Sequence, residues 1–422
     1  MNRPRVVITG LGAITPLGSS VSQFWQGLLS GQSGVRRITQ FDASHLPSQI
    51  AGEIPDFVVE DYMERKEARR IPRSAQIALA AATQAMQDAG FRDSAPNAER
   101  TGVVFGTGIG GIDQADEGIQ ILRTKGYERV NPFTLPTSIP NLSAFLISER
   151  FQCLGPNLTL TSSCATSTQA IGEAAELIRR GSADVAICGG TESLIRDFSI
   201  AGFCAMRALP TNYNDRPTLA SRPFDAHREG FVLSEGAGTL ILERLEHALE
   251  RKAHIYAEVA GYASSADGRH LAAPDPSANG PARAIRWALE NAGLTPKEVD
   301  YINAHGTSTP LNDLIETRAI KLVFGEDAYR IPISSTKSMM GHPMGASGAL
   351  EAIVCVLTIH HGTIHPTINY ETPDPECDLD YVPGTSRQMQ VNVALSNSFG
   401  LGGQNACLVI QRFQQTNQNP EK

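Results

Sequence analysis

Short apolar segments alternate with helical segments along almost the whole chain. Residues 6–9 (VVIT) are typical of a buried strand, and residues 74–90 give an alanine-rich helical pattern that ends at Gly90. The second half repeats the alternation, with an apolar strand at 255–263 and a helical segment at 282–293. Such alternation predicts a layered α/β protein whose central strands are mostly parallel.

The alternation resumes after residue 252, and no low-complexity linker separates the two parts. We therefore expect two units, residues 1–252 and residues 253–422, that share one compact body. The boundary is placed near 252–254, between a helical segment and the next strand.

Composition excludes several classes of function. The net charge of −8 argues against a nucleic-acid surface spread over the whole protein. The seven cysteines are scattered without a C-x-x-C pair, which argues against a zinc site or a disulfide framework and fits a reducing compartment. No apolar run approaches the ~20 residues of a membrane span, and the apolar start is too short for a signal-peptide core. We expect a cytoplasmic protein without a metal, a nucleic-acid partner or membrane insertion.

Cys164 lies where an apolar strand (157–160) gives way to a helical segment (165–180) that Gly181 should end. In the first turn of a helix, unpaired N–H groups and the helix dipole favour a thiolate over a thiol. This position suits a nucleophile. A free cysteine is also among the most buried residue types, so simple packing in the core remains the alternative.

Two histidines follow predicted strands in the second half. His305 ends the strand in VDYINAHG, and His342 lies in a glycine-flanked loop before an apolar helix. Loops beyond strand ends are where α/β proteins place active-site groups, although each histidine alone could be structural. Lys337 precedes His342 by five residues. Asp313 and Glu316 share one helix face, as an ion-pair scaffold for Lys337 and the histidines or as solvated charges.

Two glycine-rich stretches have competing interpretations. SNSFGLGGQN (396–405) could be a plain hairpin, or it could bring backbone N–H groups close to a ligand, as an oxyanion hole requires. FGTGIGG has the G-x-G-x-x-G spacing of a dinucleotide-binding loop at Gly106, Gly108 and Gly111. The segment after it is a poor phosphate-binding helix, and no second strand ends in an acid about 20 residues on, so a nicotinamide cofactor is not expected.

Seven segments, in this order and spacing, resemble the elongating β-ketoacyl-acyl-carrier-protein synthases and are most similar to those of type II. They are RVVITGLGAITPLG, GTGIGGI, TSSCATSTQAIG, SRPFDAHREGFVLSEGAG, NAHGTSTPLND, STKSMMGHPMGASGALE and SNSFGLGGQN. The similarity runs nearly end to end. It implies a thiolase-like fold, in which two similar βαβαβαββ halves form five α-β-α-β-α layers, and it implies a homodimer.

The resemblance also implies a reaction. Cys164 matches the nucleophile that accepts the acyl group, and His305 and His342 match the pair that hydrogen-bonds the malonyl thioester carbonyl. Lys337 matches the family's invariant lysine. The implied reaction is a decarboxylative condensation with malonyl-acyl-carrier protein, which lengthens the acyl chain by two carbons. No cofactor is implied, because the substrates arrive on the phosphopantetheine arm of the carrier protein.

Further site residues are carried over from the same resemblance. Asp313 and Glu316 match the acidic partners of Lys337, and the backbone N–H groups of Cys164 and Leu401 match the oxyanion hole. The residues that match the acyl pocket are Ile109, Thr134, Phe203 and Leu401. The cations that match the docking site of the acidic carrier protein, where complementary charge should speed encounter, are Lys66, Arg69, Arg70, Arg129 and Arg207.

Two departures keep other functions open. Leu401 stands where the family usually has a gating phenylalanine, and Thr134 stands where an aromatic residue is common, so the acyl channel should be roomier. A ketosynthase of a specialised polyketide or unusual fatty-acid pathway is therefore an alternative. A chain-length-factor-like partner subunit would lack the nucleophile. A thiolase would carry a second cysteine near its C-terminus, and an initiating synthase would use Cys-His-Asn.

Overall fold

The computed structural model describes residues 3–415. The elements of the first half are β1 (Val6–Ile14), α1 (Val21–Leu29), β2 (Arg36–Arg37), β3 (Ile50–Ala51), α2 (Arg65–Ala68), α3 (Arg73–Asp88), β4 (Thr101–Gly106), α4 (Ile112–Lys125), α5 (Thr134–Ser138), α6 (Leu142–Phe151), β5 (Asn157–Leu160), α7 (Thr166–Arg179), β6 (Val185–Glu192), α8 (Asp197–Ala205), β7 (Gly236–Arg244) and α9 (Leu245–Glu250).

The elements of the second half are β8 (Ala257–Ala266), α10 (Asn279–Ala292), β9 (Tyr301–Asn303), α11 (Pro310–Phe324), β10 (Ile333–Ser334), α12 (Lys337–Met340), α13 (Ser347–His361), β11 (Thr363–Ile364), β12 (Arg387–Gln388), β13 (Val393–Gly400) and β14 (Gln404–Gln411). The division of the chain at residue 252 stays a prediction. That residue lies in the connection between α9 and β8.

Within residues 3–415, ten strands form one mixed sheet, in the order β10-β9-β13-β14-β8-β1-β7-β6-β4-β5. The order contains the same five-stranded plan twice, as β1-β7-β6-β4-β5 and as β8-β14-β13-β9-β10. Helices α3, α6 and α7 connect the strands of the first plan, and α10, α11 and α13 take the equivalent places in the second. Both halves therefore have the βαβαβαββ connectivity. They meet where β1 and β8 pair antiparallel, with Val7 opposite Glu258.

Helices α7 and α13 form a central layer between the two halves. Helix α7 packs on β4 and β6 of the first half and on β8 and β14 of the second, and α13 packs on β13 and β7. Helix α3 covers β1 and β7 from outside, and α10 covers β8 and β14. The molecule is thus layered α-β-α-β-α, and the predicted thiolase-like fold is confirmed.

Strand direction follows the prediction only in part. Strands β4, β5 and β6 pair in parallel, as do β9, β10 and β13. Strand β7 lies antiparallel between β1 and β6, and β14 lies antiparallel between β8 and β13. The short turn 401–403 joins β13 to β14, and a connection this short can only return the chain antiparallel.

Strand β1 continues to Ile14, beyond the apolar run that the sequence marks at 6–9. Glycine makes the extension compatible with the alanine-rich helix packed on it. A Cβ atom at Gly12 would lie 1.9 Å from the carbonyl oxygen of Ala81 on α3. The helix and the strand therefore approach more closely than any side chain would allow.

Among the described residues, one helical segment, Met344–His361, is long and apolar enough to cross a membrane. It is almost wholly buried, because α13 lies in the central layer between the two halves of the ten-stranded sheet. Its composition is therefore that of a core helix.

Candidate active site

Cys164 lies on a strained turn between β5 and α7. A single 3-10 turn, Ser163–Ala165, leads into the helix, and Ser163 has a left-handed φ of 51°. The hydroxyl of Thr166 holds this turn by accepting from the backbone N–H of Ser162 at 2.8 Å and donating to the carbonyl of Ser163 at 2.7 Å. Such strain persists only where surrounding contacts fix it. It presents a nearly buried thiol at the helix N-terminus.

The thiol and both predicted histidines converge. The Sγ atom of Cys164 lies 3.0 Å from Nε2 of His342. One side-chain atom from each of Cys164, His305 and His342 falls within 4.8 Å of the others. The two imidazole rings meet nearly at right angles, with centroids 5.4 Å apart. Cys164 from the first half of the chain and His305 and His342 from the second therefore lie together in one site.

His305 is fixed from two directions. The carboxylate of Glu316 accepts hydrogen bonds from the backbone N–H groups of His305 and Gly306, at 2.8 and 2.7 Å. The Nζ atom of Lys337 lies 3.4 Å from Nδ1 of His305. An ammonium group can only donate, so Nδ1 must accept. The ring proton of neutral His305 is thereby placed on Nε2.

His342 is held through its backbone and its ring. Its N–H donates to the carbonyl of Val232 at 2.7 Å, and its carbonyl accepts from Ser234 at 3.1 Å. The ring of Phe231 contacts the imidazole edge to face, with centroids 5.4 Å apart. On the side away from Cys164, Nδ1 lies 2.9 Å from the hydroxyl of Ser347.

The predicted acidic partners of Lys337 are corrected by the structure. Lys337 forms a buried ion pair with Glu351 of α13, a residue that sequence reasoning missed. Asp313 instead accepts from the backbone N–H of Phe224 at 2.8 Å and faces Arg228 at 3.6 Å. Glu316, as described above, holds the His305 turn. The two acids brace the loops around the histidines, and neither contacts the lysine ammonium.

A signal for Glu351 was present in the sequence. It is the one charged residue between His342 and His360, within a stretch that is otherwise small and apolar. A lone acid on a buried helix needs a cationic partner, because an unpaired buried charge is costly. The partner could not be named without knowing which face of the helix meets Lys337.

Burial dominates the protonation of the site. It raises the pKa of Cys164 to about 11, against the opposing effects of the Lys337 cation and the Leu401 N–H group. Burial, with a further contribution from Lys337, also lowers the pKa of His305 and His342 well below 6.5. Burial therefore opposes the thiolate that the helix N-terminus favours. These shifts favour a neutral thiol beside two neutral imidazoles in the resting site.

A cavity of about 400 Å³ opens onto these groups. Cys164, His305, His342 and Leu401 line it, and so does Arg207. The turn 401–403 closes the hairpin between β13 and β14, and its Leu401 N–H is directed at the thiol. The glycine-rich stretch is thus both a hairpin and a source of backbone donors. A substrate oxygen beside Cys164 would meet that donor.

Two family models match this chain. One, described as beta-ketoacyl synthase, N-terminal domain, matches residues 3–248. The other, described as beta-ketoacyl synthase, C-terminal domain, matches residues 256–371. The chain belongs to the beta-ketoacyl synthase family.

Relatives of this ketoacyl synthase match nearly its full length. The 3-oxoacyl-(acyl-carrier-protein) synthase 2 of Synechocystis sp. is 50% identical over 98% of this chain and 99% of its own length. The protein of the same name from Coxiella burnetii is 47% identical over 98% and 99%. A solved type II polyketide ketosynthase, in complex with its acyl-carrier protein and bound to the hexaketide, has a TM-score of 0.90 at 36% identity, covering 98% of this chain and 100% of that one.

The predicted acyl-pocket residues of the synthase occupy different surroundings. Phe203 packs in the apolar cluster that contains Cys164, and its ring meets Phe231 at 5.1 Å between centroids. Ile109 lies in the loop after β4 and is 40% exposed. Thr134 begins α5 and packs against α4. Leu401 alone of the four lines the cavity described above. The pocket roles of the other three stay predictions.

The glycine-rich loop FGTGIGG, which has the spacing of a dinucleotide-binding loop, is held by Glu192. Its buried carboxylate accepts from the backbone N–H of Gly108 at 2.7 Å and of Gly345 at 3.1 Å, and from the hydroxyl of Thr107 at 3.0 Å. The backbone N–H groups of this loop therefore already donate to a carboxylate of the protein. A phosphate group could bind them only by displacing Glu192. Glu192 also ties this loop to the segment that follows His342, a role that the sequence did not reveal.

The three converging side chains could also hold a soft metal ion. Cys164, His305 and His342 offer one thiol and two imidazoles, a donor set that suits zinc. A metal there would occupy the thiol of Cys164, the predicted nucleophile. The absence of a functional metal stays a prediction.

The predicted docking cations are all exposed, but they lie on separate elements. Lys66, Arg69 and Arg70 belong to or follow α2, and Arg129 ends the 3-10 turn after α4. Arg207 alone of the five lines the cavity. Within residues 3–415 none of the five pairs with an acid, so their charge faces solvent.

Proposed function

We propose that this synthase condenses an acyl group with malonyl-acyl-carrier protein, with loss of carbon dioxide, and so elongates acyl chains in fatty-acid biosynthesis. The observation that carries the proposal is the convergence of Cys164, His305 and His342 at one cavity. Relatives named 3-oxoacyl-(acyl-carrier-protein) synthase 2 are 46 to 50% identical, whereas the polyketide ketosynthase is 36% identical. These identities favour fatty-acid elongation over the polyketide alternative.

In the acylation step, Cys164 attacks the thioester carbonyl of the incoming acyl group. Its thiol proton passes to Nε2 of His342, which is 3.0 Å away and neutral. The backbone N–H groups of Cys164 and Leu401 stabilise the tetrahedral oxygen. When the bond to the carrier sulfur breaks, His342 returns the proton to that sulfur.

In the condensation step, malonyl-carrier protein enters and loses carbon dioxide, and negative charge develops on its thioester oxygen. His305 is positioned to donate to that oxygen, because its contact with Lys337 places the ring proton on Nε2. His342 lines the same cavity. The carbanion then attacks the acyl carbon on Cys164, the bond between that carbon and the Cys164 sulfur breaks, and the released thiolate takes a proton from water. The proposed chemistry uses the phosphopantetheine arm of the carrier and requires no metal and no resident cofactor.

The test is a condensation assay with acyl- and malonyl-carrier protein, in which mass spectrometry detects a product two carbons longer. Cys164→Ala should abolish this product, whereas Cys164→Gln should still release carbon dioxide from malonyl-carrier protein. His305→Ala should slow that release by about 10²-fold, the cost of losing one oxyanion donor. Condensation by Cys164→Ala would refute the nucleophile assignment.

We also propose that acyl-carrier protein docks on the exposed cations Lys66, Arg69, Arg70, Arg129 and Arg207. Two observations support this docking site: none of these cations pairs with an acid among residues 3–415, and Arg207 lines the cavity. Reversing Lys66 and Arg69 to Glu should weaken reaction with carrier-bound substrate, most strongly at low salt. Equal loss with a small acyl thioester would mean that the cations have another role.

The proposed assembly is a homodimer in the cytoplasm. In the part of the chain that the structure describes, β5 pairs only with β4 and ends the sheet with one open edge, and such edges are usually covered. Large apolar side chains are exposed on β5, on helix α6 that packs against it, and on the segments next to α6: Phe133, Leu135, Ile139, Phe145, Leu154 and Leu158. An apolar patch beside an open strand edge favours a second copy as its cover. The seven unpaired thiols support a reducing compartment.

A further inference from the structure

One fully buried histidine lies outside the active site and takes no part in the chemistry described above. His365 follows strand β11 and has no exposed surface. Its Nδ1 atom lies 2.9 Å from the carbonyl oxygen of Pro366, which can only accept, so Nδ1 carries a proton. Burial lowers the pKa of His365 to about 4. At neutral pH the ring therefore has no second proton, and its Nε2 atom is an acceptor.

Four polar side chains surround this Nε2 atom. Its neighbours are the hydroxyl oxygens of Thr336 at 3.1 Å, Ser334 at 3.2 Å and Tyr301 at 3.5 Å, and the amide nitrogen of Asn303 at 3.4 Å. Asn303 donates to the hydroxyls of Thr336 and Tyr301, at 2.9 and 3.1 Å. Tyr301 and Ser334 share one further hydrogen bond, at 2.7 Å. Thr336 and the Tyr301–Ser334 pair each keep one hydroxyl proton, and within residues 3–415 Nε2 of His365 is the acceptor that remains for both.

This cluster joins the two chain segments that carry His305 and Lys337. Asn303 ends β9 two residues before His305, and Thr336 directly precedes Lys337. The hydrogen bond from Asn303 to Thr336 therefore connects the same two segments as the contact of 3.4 Å between Nζ of Lys337 and Nδ1 of His305. His365 accepts from the residue next to the lysine, and it does not itself line the cavity.

The segment that carries His365 is anchored on both sides of the ring. Before it, Ile364 on β11 pairs with Arg387 on β12. After it, the hydroxyl of Thr367 accepts from the backbone N–H of Ser335 at 3.0 Å. The imidazole is therefore a fixed acceptor against which the ends of β9 and β10 are aligned.

We propose that His365 is a positioning residue, which accepts hydrogen bonds from the hydroxyls around it and so holds Lys337 beside His305. The inference rests on the proposed function and refines its condensation step. Contact with the Lys337 ammonium keeps the ring proton of His305 on Nε2, where it meets the malonyl thioester oxygen. If the two segments moved apart, that proton would be free to move to Nδ1, away from the substrate. His365 touches no substrate and transfers no proton.

The test measures malonyl decarboxylation in the Cys164→Gln background, with His365 replaced by Asn or by Gln. Asparagine can still donate to the carbonyl of Pro366 but has no acceptor at the position of Nε2, whereas the glutamine oxygen reaches that position. His365→Asn should lower kcat for decarboxylation by about 10-fold with KM within about 2-fold, because a donor to the reacting oxygen is misplaced. His365→Gln should restore kcat to within about 3-fold.

A second reaction separates positioning from a general loss of structure. With Cys164 intact, acylation by a small acyl thioester is counted by mass spectrometry. It should change by less than about 3-fold in His365→Asn, because neither Cys164 nor His342 contacts the cluster around His365. Equal slowing of the two reactions would overturn the proposal, as would unchanged decarboxylation in His365→Asn. Failure of Cys164→Gln to release carbon dioxide with His365 intact would instead contradict the proposed function.

The proton positions can be observed without any variant of His365. Neutron diffraction from crystals of the perdeuterated wild type at neutral pH should show deuterium on Nδ1 of His365 and on Nε2 of His305. Deuterium on Nε2 of His365 would overturn the proposal even if both variants of His365 failed to fold.

Discussion

At the scale of single residues, burial and the helix N-terminus act on the Cys164 thiol in opposite directions. The sequence places the thiol correctly at the start of α7, but the depth of its site depends on loops from both halves. Because burial raises the pKa of Cys164 to about 11, the thiolate fraction should grow about tenfold per pH unit through neutral and mildly alkaline pH. Alkylation by iodoacetamide should therefore still be accelerating at pH 9. Mass spectrometry of the Cys164 peptide measures the rate.

The control for this pH profile is a small free thiol, whose alkylation should level off above its ordinary pKa of about 8.5. A Cys164 profile that reached its plateau at or below that pH would show that the site stabilises the thiolate after all.

The ion pair of Lys337 and Glu351 makes a second prediction for single residues. Both side chains are essentially unexposed, so removing one leaves the other as an unpaired buried charge. Glu351→Ala should lower the free energy of unfolding by about 3–5 kcal/mol, measured by urea denaturation. The exposed Glu250 on α9 is the matched acid, and its alanine variant should change stability by less than about 0.5 kcal/mol.

A double variant of Lys337 and Glu351 tests whether the unpaired buried charge causes the loss of stability. Lys337→Met together with Glu351→Leu removes both charges and keeps most of the volume, so this variant should be more stable than Glu351→Ala. If the double variant were no more stable than the single one, lost packing and not the unpaired lysine would explain the destabilisation.

At the scale of secondary-structure elements, the sequence predicts what the elements are better than it predicts their contacts. The apolar pattern predicts helix α13, but not that Ser347 meets His342 or that Glu351 meets Lys337, because periodicity does not show which neighbour each face meets. Likewise Asp313 and Glu316 were placed together on one helix. Their partners, the Phe224 and His305 backbones, belong to segments that only the tertiary fold brings near.

The turn between β13 and β14 carries the prediction for substrate range. Leu401 lines the cavity beside Cys164, and its N–H role does not depend on the side chain. Leu401→Phe would add a flat ring to the cavity that Leu401 lines and reduce the space left for the acyl chain. It should shift preference toward shorter, straight acyl chains by about 10-fold, equivalent to about 1.4 kcal/mol. Chain-length profiles with matched acyl-carrier substrates measure the shift.

The control for that profile is Leu401→Met, which keeps a similar volume without a ring and should retain the wild-type profile. Alkylation of Cys164 should change little in either variant. Coinciding profiles for wild type and Leu401→Phe would show that Leu401 does not set substrate range.

At the scale of the whole molecule, the alternation of strands and helices predicts an α/β protein. The two similar βαβαβαββ halves follow only from the resemblance to the β-ketoacyl synthases. The strands themselves do not announce the repeat, since the equivalent strands β4 and β9 differ in length and composition. It emerges from strand order, in which β7 and β14 are inserted antiparallel at equivalent places. The two copies have diverged in function. The first carries Cys164, and the second carries both histidines and the lysine.

The open edge of the sheet at β5 is where a second copy of the chain should bind. Leu158 lies on that strand and is 39% exposed. If β5 meets its copy in a homodimer, Leu158→Asp places two like charges in an apolar contact, and the protein should sediment at the 45.3 kDa of one chain. Leu322→Asp is the matched control, because Leu322 is an exposed leucine on α11 in the other half. It should sediment at twice that mass, as wild type should. A Leu158→Asp protein that also sediments as a dimer would place the contact elsewhere, and a monomeric wild type would remove the homodimer altogether.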